Sequence, residues 1–271
     1  MTATVGVLHP GEMGAAVAGT LREAGHTVLW ASAGRSDETR ERAGRARLID
    51  AGTVEALAAR SDVVLAVCPP HAAMELAELV AGFGGLYVDA NAVAPQTARA
   101  VAAIVGDAGA SYVDGGIIGP PPRSPGTTRL YLSGEDAGAV APLFAGTALE
   151  ARVVAGDATA ASALKMAYAA WTKGSQALLL AIEGAARRLG VEDALRAEWE
   201  RSQPELPERL ARAAEQAAAK GWRWVGEMDE IAATLAAVGL PDGFHRAAGE
   251  VYSDSAYARA SANRRAKSAG L

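Results

Sequence analysis

The chain has 271 residues, half of them hydrophobic, and a formal net charge of −5. No uncharged run approaches the roughly 20 residues that cross a bilayer, and no dense basic stripe is present, so neither a membrane nor a nucleic acid is an expected partner. A single cysteine, Cys68, excludes an intrachain disulfide framework and leaves too few thiols for a zinc site; no metal is expected. The opening Met1-Thr2-Ala3-Thr4 lacks a basic n-region and a cleavage signal, and a cytoplasmic location is the expectation.

The first 155 residues alternate short β-branched runs with alanine-rich helical stretches, the pattern of βαβ units around a parallel sheet. Strands are expected over Thr4–Leu8, Thr27–Ala31, Ala46–Ile49, Asp62–Cys68, Leu86–Asp89 and Ser111–Asp114, with Arg129–Leu132 and Ala151–Val154 extending the sheet. Ala15–Ala24 and His71–Phe83 read as helices between them. After Gly156 the pattern changes. Ala158–Leu189 contains no proline and little β-branching, and it reads as one long helix of about 48 Å. Further helices are expected over Glu192–Arg201, Pro207–Lys220, Val225–Val238 and Asp242–Tyr257, with glycines such as Gly190, Gly221 and Gly239 ending them. Arg264, Arg265 and Lys267 read as the solvated end of a helix. The expected architecture is a Rossmann-type doubly wound α/β domain (1–155), followed by an all-α domain (156–271). The long helix joins them. Its length calls for partner surface, so a homodimer through the C-terminal helices is expected.

The first strand runs into His9-Pro10-Gly11-Glu12-Met13-Gly14 and then a helix. The last two glycines of G-x-G-x-x-G are present, with His9 in place of the first. Gly11 allows the backbone close to a pyrophosphate, Gly14 allows close helix–strand packing, and the helix N-terminus offers N–H groups. His9 is expected to take a turn conformation that glycine adopts more easily. At the tip of the second strand, where NAD enzymes place an acid, the chain reads Ala31-Ser32-Ala33-Gly34-Arg35-Ser36. Ser32, Arg35 and Ser36 offer a guanidinium and two hydroxyls to a 2′-phosphate, and NADP(H) is the expected cofactor. Asp37 and Glu38 fit the first turn of a helix starting at Ser36. Cys68 and Pro69 end the fourth strand at the edge where a nicotinamide sits, and Asn91 lies just beyond the fifth strand.

These segments resemble a known family. Val5–Gly14 resembles the opening of the β-hydroxyacid dehydrogenases and 6-phosphogluconate dehydrogenase-like proteins, and Val88-Asp89-Ala90-Asn91-Ala92-Val93-Ala94-Pro95 resembles their fifth strand and its turn. Tyr112-Val113-Asp114-Gly115-Gly116-Ile117-Ile118-Gly119 falls at their substrate-binding motif. Leu164–Leu180 and Arg223–Pro241 look most like a branch of phosphogluconate dehydrogenase-like reductases with its own C-terminal domain. Gly156–Lys165 resembles the family's catalytic segment, which implies that Lys165 is the catalytic lysine. Independently, Lys165 is the only charge between Asp157 and Lys173, and desolvation is expected to lower its pKa toward a useful range.

Lys165, Tyr168, Ala169, Thr172 and Gln176 recur at helical spacing and define one face. Tyr168 and Thr172 would orient a substrate hydroxyl or tune the lysine, or Tyr168 fills the domain interface. Lys173 would attract an anionic group or sit solvated. The family's asparagine is Ala169 here, and its motif serine is Ile118. With Gly115, Gly116, Ile117, Ile118 and the prolines Pro120–Pro122, this implies a less polar substrate than the family's usual ones. Glu227 falls near the position of the wider family's lysine–aspartate pair, but Glu227 and Glu230 read as surface carboxylates. His245 lies on a helix that a dimer would bring to the cleft. The expected reaction is hydride transfer to or from a small carbonyl or hydroxy compound. Imine reduction and a non-catalytic NADP(H)-binding sensor are the alternatives.

Overall fold

The computed structural model describes residues 2–253. The helix end expected after Ser253 and the basic Arg264, Arg265 and Lys267 lie outside the described residues. The chain divides into two compact units, Met1–Lys165 and Met166–Leu271.

The first unit is built on an eight-stranded sheet ordered β3-β2-β1-β4-β5-β6-β7-β8. Its strands are β1 (Thr4–Val7), β2 (Thr27–Trp30), β3 (Ile49–Asp50), β4 (Val63–Ala66), β5 (Leu86–Asp89), β6 (Ser111–Ile118), β7 (Thr128–Ser133) and β8 (Leu149–Val153). All pairings are parallel except that of β6 with β7. The helices are α1 (Glu12–Glu23), α2 (Asp37–Arg45), α3 (Val54–Ala59), α4 (Ala73–Glu78), α5 (Pro95–Asp107) and α6 (Ala137–Val140). Strand side chains point alternately to opposite faces. Val28, Trp30, Val63 and Leu65 therefore enter one core, whereas Leu29, Val64, Ala66 and Tyr87 enter the other. Both faces of the sheet are apolar, as helices on both sides require.

Three elements differ from the expected ones. Ala46–Leu48 is the exit of α2, where Ala46 is the C-cap and Arg47 takes a φ of +54°, and β3 starts only at Ile49. The Pro69-Pro70 pair opens a 3-10 turn over Pro70–Ala72, which leaves α4 only six residues. Strand β6 continues through Gly115–Ile118 because β7 pairs with it along that whole stretch.

The second unit is helical. Helix α7 (Ala160–Arg188) begins in the first unit and continues into the second, followed by α8 (Glu192–Ser202), α9 (Leu206–Ala237) and α10 (Gly243–Ser253). Helix α9 is one element where two were expected. Gly221 does not end it; the helix runs on through this position, which faces Tyr252, and a Cβ there would meet that ring in ordinary contact at 3.6 Å. A mid-helix glycine is less favourable than alanine by about 1 kcal/mol, which the packing of a 32-residue helix offsets. Trp224 meets Tyr252 edge-on, with ring centroids 5.1 Å apart. Among the described residues no helix is long and apolar enough to cross a membrane.

Candidate active site

The chain turns from β1 outward to β2 and β3 and then returns to β4 on the other side of β1. That reversal opens a crevice at the carboxyl ends of β1 and β4, where open α/β sheets bind ligands. The loop His9–Gly14 lines this edge. Gly14 is there by necessity, because a Cβ would lie 2.3 Å from the His9 carbonyl oxygen. Gly11 has only the His9 ring near its Cβ direction, at 3.4 Å, so the space above it is open. The α1 N-cap, Gly11, makes no side-chain hydrogen bond, and the first N–H groups of an α-helix point out of its N-terminal end. His9 is not left-handed: Arg47 is the one described non-glycine residue with positive φ. A tight turn, Gly11 N–H to His9 carbonyl at 2.8 Å, replaces the expected glycine-like conformation.

The tip of β2 folds back on this loop. Arg35 donates to the Leu8 carbonyl at 3.1 Å and lies 3.3 Å from His9 Nδ1. Its guanidinium therefore ties the two loops together. Ser36 is the N-cap of α2 and accepts from the Thr39 N–H, so its hydroxyl already has a structural task. Arg40, one turn into α2, donates to the Ser32 carbonyl at 2.9 Å. The second cation beside Ser32 is thus Arg40, which the sequence reading did not single out. Its position four residues after a helix-capping serine was the available signal.

At the ends of β4 and β5, Cys68 N–H donates to Asn91 Oδ1 at 2.6 Å, and Asn91 N–H donates to Asp89 Oδ1 at 3.1 Å. Asn91 is 2% exposed, and its Nδ2 is buried without a partner. Burial and the neighbouring Asp89 charge push the Cys68 thiol up to about 12, so it is not a thiolate nucleophile near neutral pH. Pro69 is half-buried beside it. An uncapped helix N-terminus, a glycine that leaves space and an orphaned buried amide donor are groups that a dinucleotide fits.

Two buried carboxylates, Asp89 and Asp114, lie at the next strand ends. Asp89 and Asp114 are register neighbours on β5 and β6, and both are essentially inaccessible. Burial, aided by the charge of Asp114, pushes Asp89 up to about 7, although the Asn91 N–H and the Tyr112 hydroxyl oppose the shift. Burial also raises Asp114, against three donors: the Ser162 N–H at 2.7 Å, the Ser162 hydroxyl at 2.5 Å and the Ser133 hydroxyl at 3.0 Å. Ser133 is the residue paired with Asp114 across β6 and β7, and its oxygen accepts from Ala161 N–H. Asp114 and Ser133 thus cap the start of α7.

One turn later on α7, Lys165 Nζ donates to the Ile117 carbonyl at 2.9 Å. A Cβ on Gly116 would lie 2.8 Å from the Ala161 carbonyl oxygen and 3.0 Å from Lys165 Cβ. Gly116 therefore permits the close approach of β6 and α7. Lys165 is half-buried. The side chains of Ile117 and Ile118 are 7% and 4% exposed, so the motif meets the lysine through backbone and glycine rather than through those side chains. Gly115 packs against Ala90 and the Asp89 carbonyl.

Three expected site residues belong to the helical unit. Tyr168 is 48% exposed, and the Thr172 hydroxyl donates to its carbonyl at 3.1 Å. Lys173 is not a solvated charge: it pairs with Glu227 and stands 5.4 Å from the Trp224 ring centroid. Glu227, expected on the surface, is 6% exposed because it is the counter-ion of Lys173. His245 is 9% exposed, and its Nε2 lies 3.1 Å from the Ala170 carbonyl oxygen, a packing position against α7.

Residues 4–93 match the family model described as NADP oxidoreductase, coenzyme F420-dependent, and residues 186–255 match a domain of unknown function, DUF1932. No curated protein matches the chain. A solved conserved protein of unknown function, described as structurally similar to 3-hydroxyacid dehydrogenases, is 27% identical; the match covers 95% of this chain and 98% of that one, with a TM-score of 0.70. The 3-hydroxyisobutyrate dehydrogenase of Mycobacterium tuberculosis shares the fold at 17% identity, over 98% and 100% of the two chains, with a TM-score of 0.70. A reductive aminase from Aspergillus terreus, solved with NADPH and ethyl levulinate, shares it at 20% identity, over 94% of each chain, with a TM-score of 0.58. The Rossmann segment, the C-terminal segment and the full-length fold make the chain similar to the superfamily of β-hydroxyacid dehydrogenase-like NAD(P)-dependent oxidoreductases.

Proposed function

We propose that the protein is an NADP(H)-dependent dehydrogenase or reductase of a small carbonyl or hydroxy compound, with Lys165 as general acid and base. The observation that carries the reading is the placement of Lys165. Its ammonium rests on the Ile117 carbonyl at the end of β6, on a helix whose start is capped by buried Asp114. NADP(H) supplies the hydride when bound. The N-terminus of α1 with Gly11 and Gly14 would hold the pyrophosphate, Ser32, Arg35 and Arg40 the 2′-phosphate, and Asn91 Nδ2 a group of the nicotinamide ribose. Lys165 would give a proton to the substrate oxygen in reduction and take it back in oxidation.

Lys165→Met tests this reading. The expected loss in kcat is about 10²–10⁴-fold, the usual span for one acid–base group, with NADPH affinity changed only a few-fold. Full activity in the variant removes Lys165 from the reaction. Cofactor binding without turnover on any ketone, hydroxy acid or imine would instead favour the sensor reading.

Imine reduction is the second reading. Ile118 and Ala169, in place of the polar residues that the resemblance implies, favour a substrate without a carboxylate at that point. Matched panels of ketones and cyclic imines, followed by NADPH absorbance, separate the two. A homodimer through the C-terminal helices accompanies either reading: Tyr168, Leu178 and Ile182 are exposed apolar residues at helical spacing along α7. Sedimentation of Leu178→Glu against the unchanged protein tests it, with monomer expected from the variant.

A further inference from the structure

The helical unit holds a cavity of about 210 Å³ between α7 and α9. Trp171, Ser175 and Gln176 line it from α7, and Arg209, Arg212 and Gln216 from α9. Drug-sized ligands occupy about 300–1,000 Å³, so an occupant of this cavity is compact.

Its polar groups are unevenly satisfied. Arg212 pairs with Glu208 on the exposed surface of α9. Arg209, three residues away on the same face, has no carboxylate partner among the described residues. The Ser175 hydroxyl likewise has none. The Gln176 amide donates to Gln216 Oε1 at 3.2 Å, which leaves Gln176 Oε1 buried without a donor. A half-buried guanidinium without a counter-ion calls for a planar oxyanion, which its fork fits in bidentate fashion. An unmet buried acceptor calls for an N–H or O–H on the same ligand. The Trp171 ring and Leu179 supply an apolar wall for its body.

We propose that this cavity binds a compact organic carboxylate carrying an adjacent N–H or O–H group. The carboxylate meets Arg209, with Arg212 and Ser175 as further donors, and the ligand's own donor meets Gln176 Oε1. The inference rests on the helical unit alone and not on the reaction proposed above.

N-acetylglycine has the required pairing of carboxylate and amide N–H, and calorimetry of the full-length protein with it is the test. Saturable binding is expected, with N-acetylglycinamide, the same body without the charge, at least about tenfold weaker. Arg209→Gln should weaken binding by about tenfold or more, and Arg209→Lys by less, because lysine keeps the charge and loses the fork. Arg246→Gln, on α10 and paired with Asp242, should bind as the unchanged protein does. Ser175→Ala, expected to weaken binding a few-fold, serves if Arg209→Gln does not fold by its melting curve. Absence of saturable binding by the unchanged protein overturns the proposal, and so does unaltered binding by Arg209→Gln or Ser175→Ala. Inorganic phosphate binding as tightly as N-acetylglycine overturns the assignment to a carboxylate.

Discussion

The two units bury charge in opposite ways. In the sheet unit, Asp89 and Asp114 stand side by side at the carboxyl edge and are held by neutral donors: backbone N–H groups, serine hydroxyls and a tyrosine. Neutral donors soften the desolvation of a carboxylate but do not cancel it, so both pKa values rise. In the helical unit, Glu227 is matched by Lys173, and Glu183, 4% exposed, by Arg187 and Arg196. Each acid there has a cation in contact. Buried charge is therefore able to respond to protons in the sheet unit, next to the candidate site, and is neutralised by partners in the helical unit.

Removing a carboxylate from each unit sharpens the contrast. Asp114→Ala strands the Ser162 hydroxyl and N–H at the start of α7, whereas the Ser133 hydroxyl keeps the Ala158 carbonyl, and at 1–3 kcal/mol for each buried unmet donor the expected loss is about 4 kcal/mol. It also frees the helix turn that carries Lys165, so kcat should fall further than stability alone explains. Urea unfolding together with kinetics checks both. Unchanged stability would mean that Asp114 does not hold α7.

Asp89 gives the pH dependence. Its folded pKa of about 7 lies above its unfolded value of 3.8, so between them the native state keeps a proton that the unfolded chain has lost. Its contribution to stability is full below 3.8 and disappears as pH rises through about 7. Asp89→Asn should therefore gain on the unchanged protein as pH rises, by up to about 4 kcal/mol above pH 7. A difference between the two proteins that stays constant from pH 4 to 8 would contradict the shift. Glu227→Gln, which leaves Lys173 with an amide in place of its counter-ion, should cost about 2–3 kcal/mol, less than a fully buried pair because the lysine side chain is 19% exposed.

Local patterns were legible in the sequence, and distant pairings were not. The continuous apolar run Val63-Val64-Leu65-Ala66, the loop to Gly14 and the long α7 follow from the length of the run, from turn chemistry and from alanine-rich composition without proline. Asp114 lies 48 residues before Ser162, and Lys173 lies 54 before Glu227, so neither pairing leaves a local trace. Glu227 looked like a surface acid because its cation stands on another helix. Gly221 looked like a helix stop because its packing partner, Tyr252, lies on α10. The lysine was visible; what holds it was not.

The smallest expected effect tests the cofactor edge, where two arginines near Ser32 have different tasks. Arg35 is tied to the Leu8 carbonyl and the His9 ring, so Arg35→Gln should weaken NADH by loosening the β1–α1 loop, and NADPH further by the lost contact to the 2′-phosphate. Arg40 is exposed; it donates to the Ser32 carbonyl and its charge acts on Asp50, both outside that loop. In the proposed reading its guanidinium meets the 2′-phosphate, and it makes no hydrogen bond to the pyrophosphate turn. Arg40→Gln should then raise the Kd for NADPH about tenfold, the equivalent of one charge-assisted contact, and leave the Kd for NADH unchanged. Calorimetric titrations with both nucleotides give the ratio directly. Equal weakening of the two would place Arg40 among the residues that hold the loop, and the preference for NADP(H) would then rest on Arg35 and Ser32 alone.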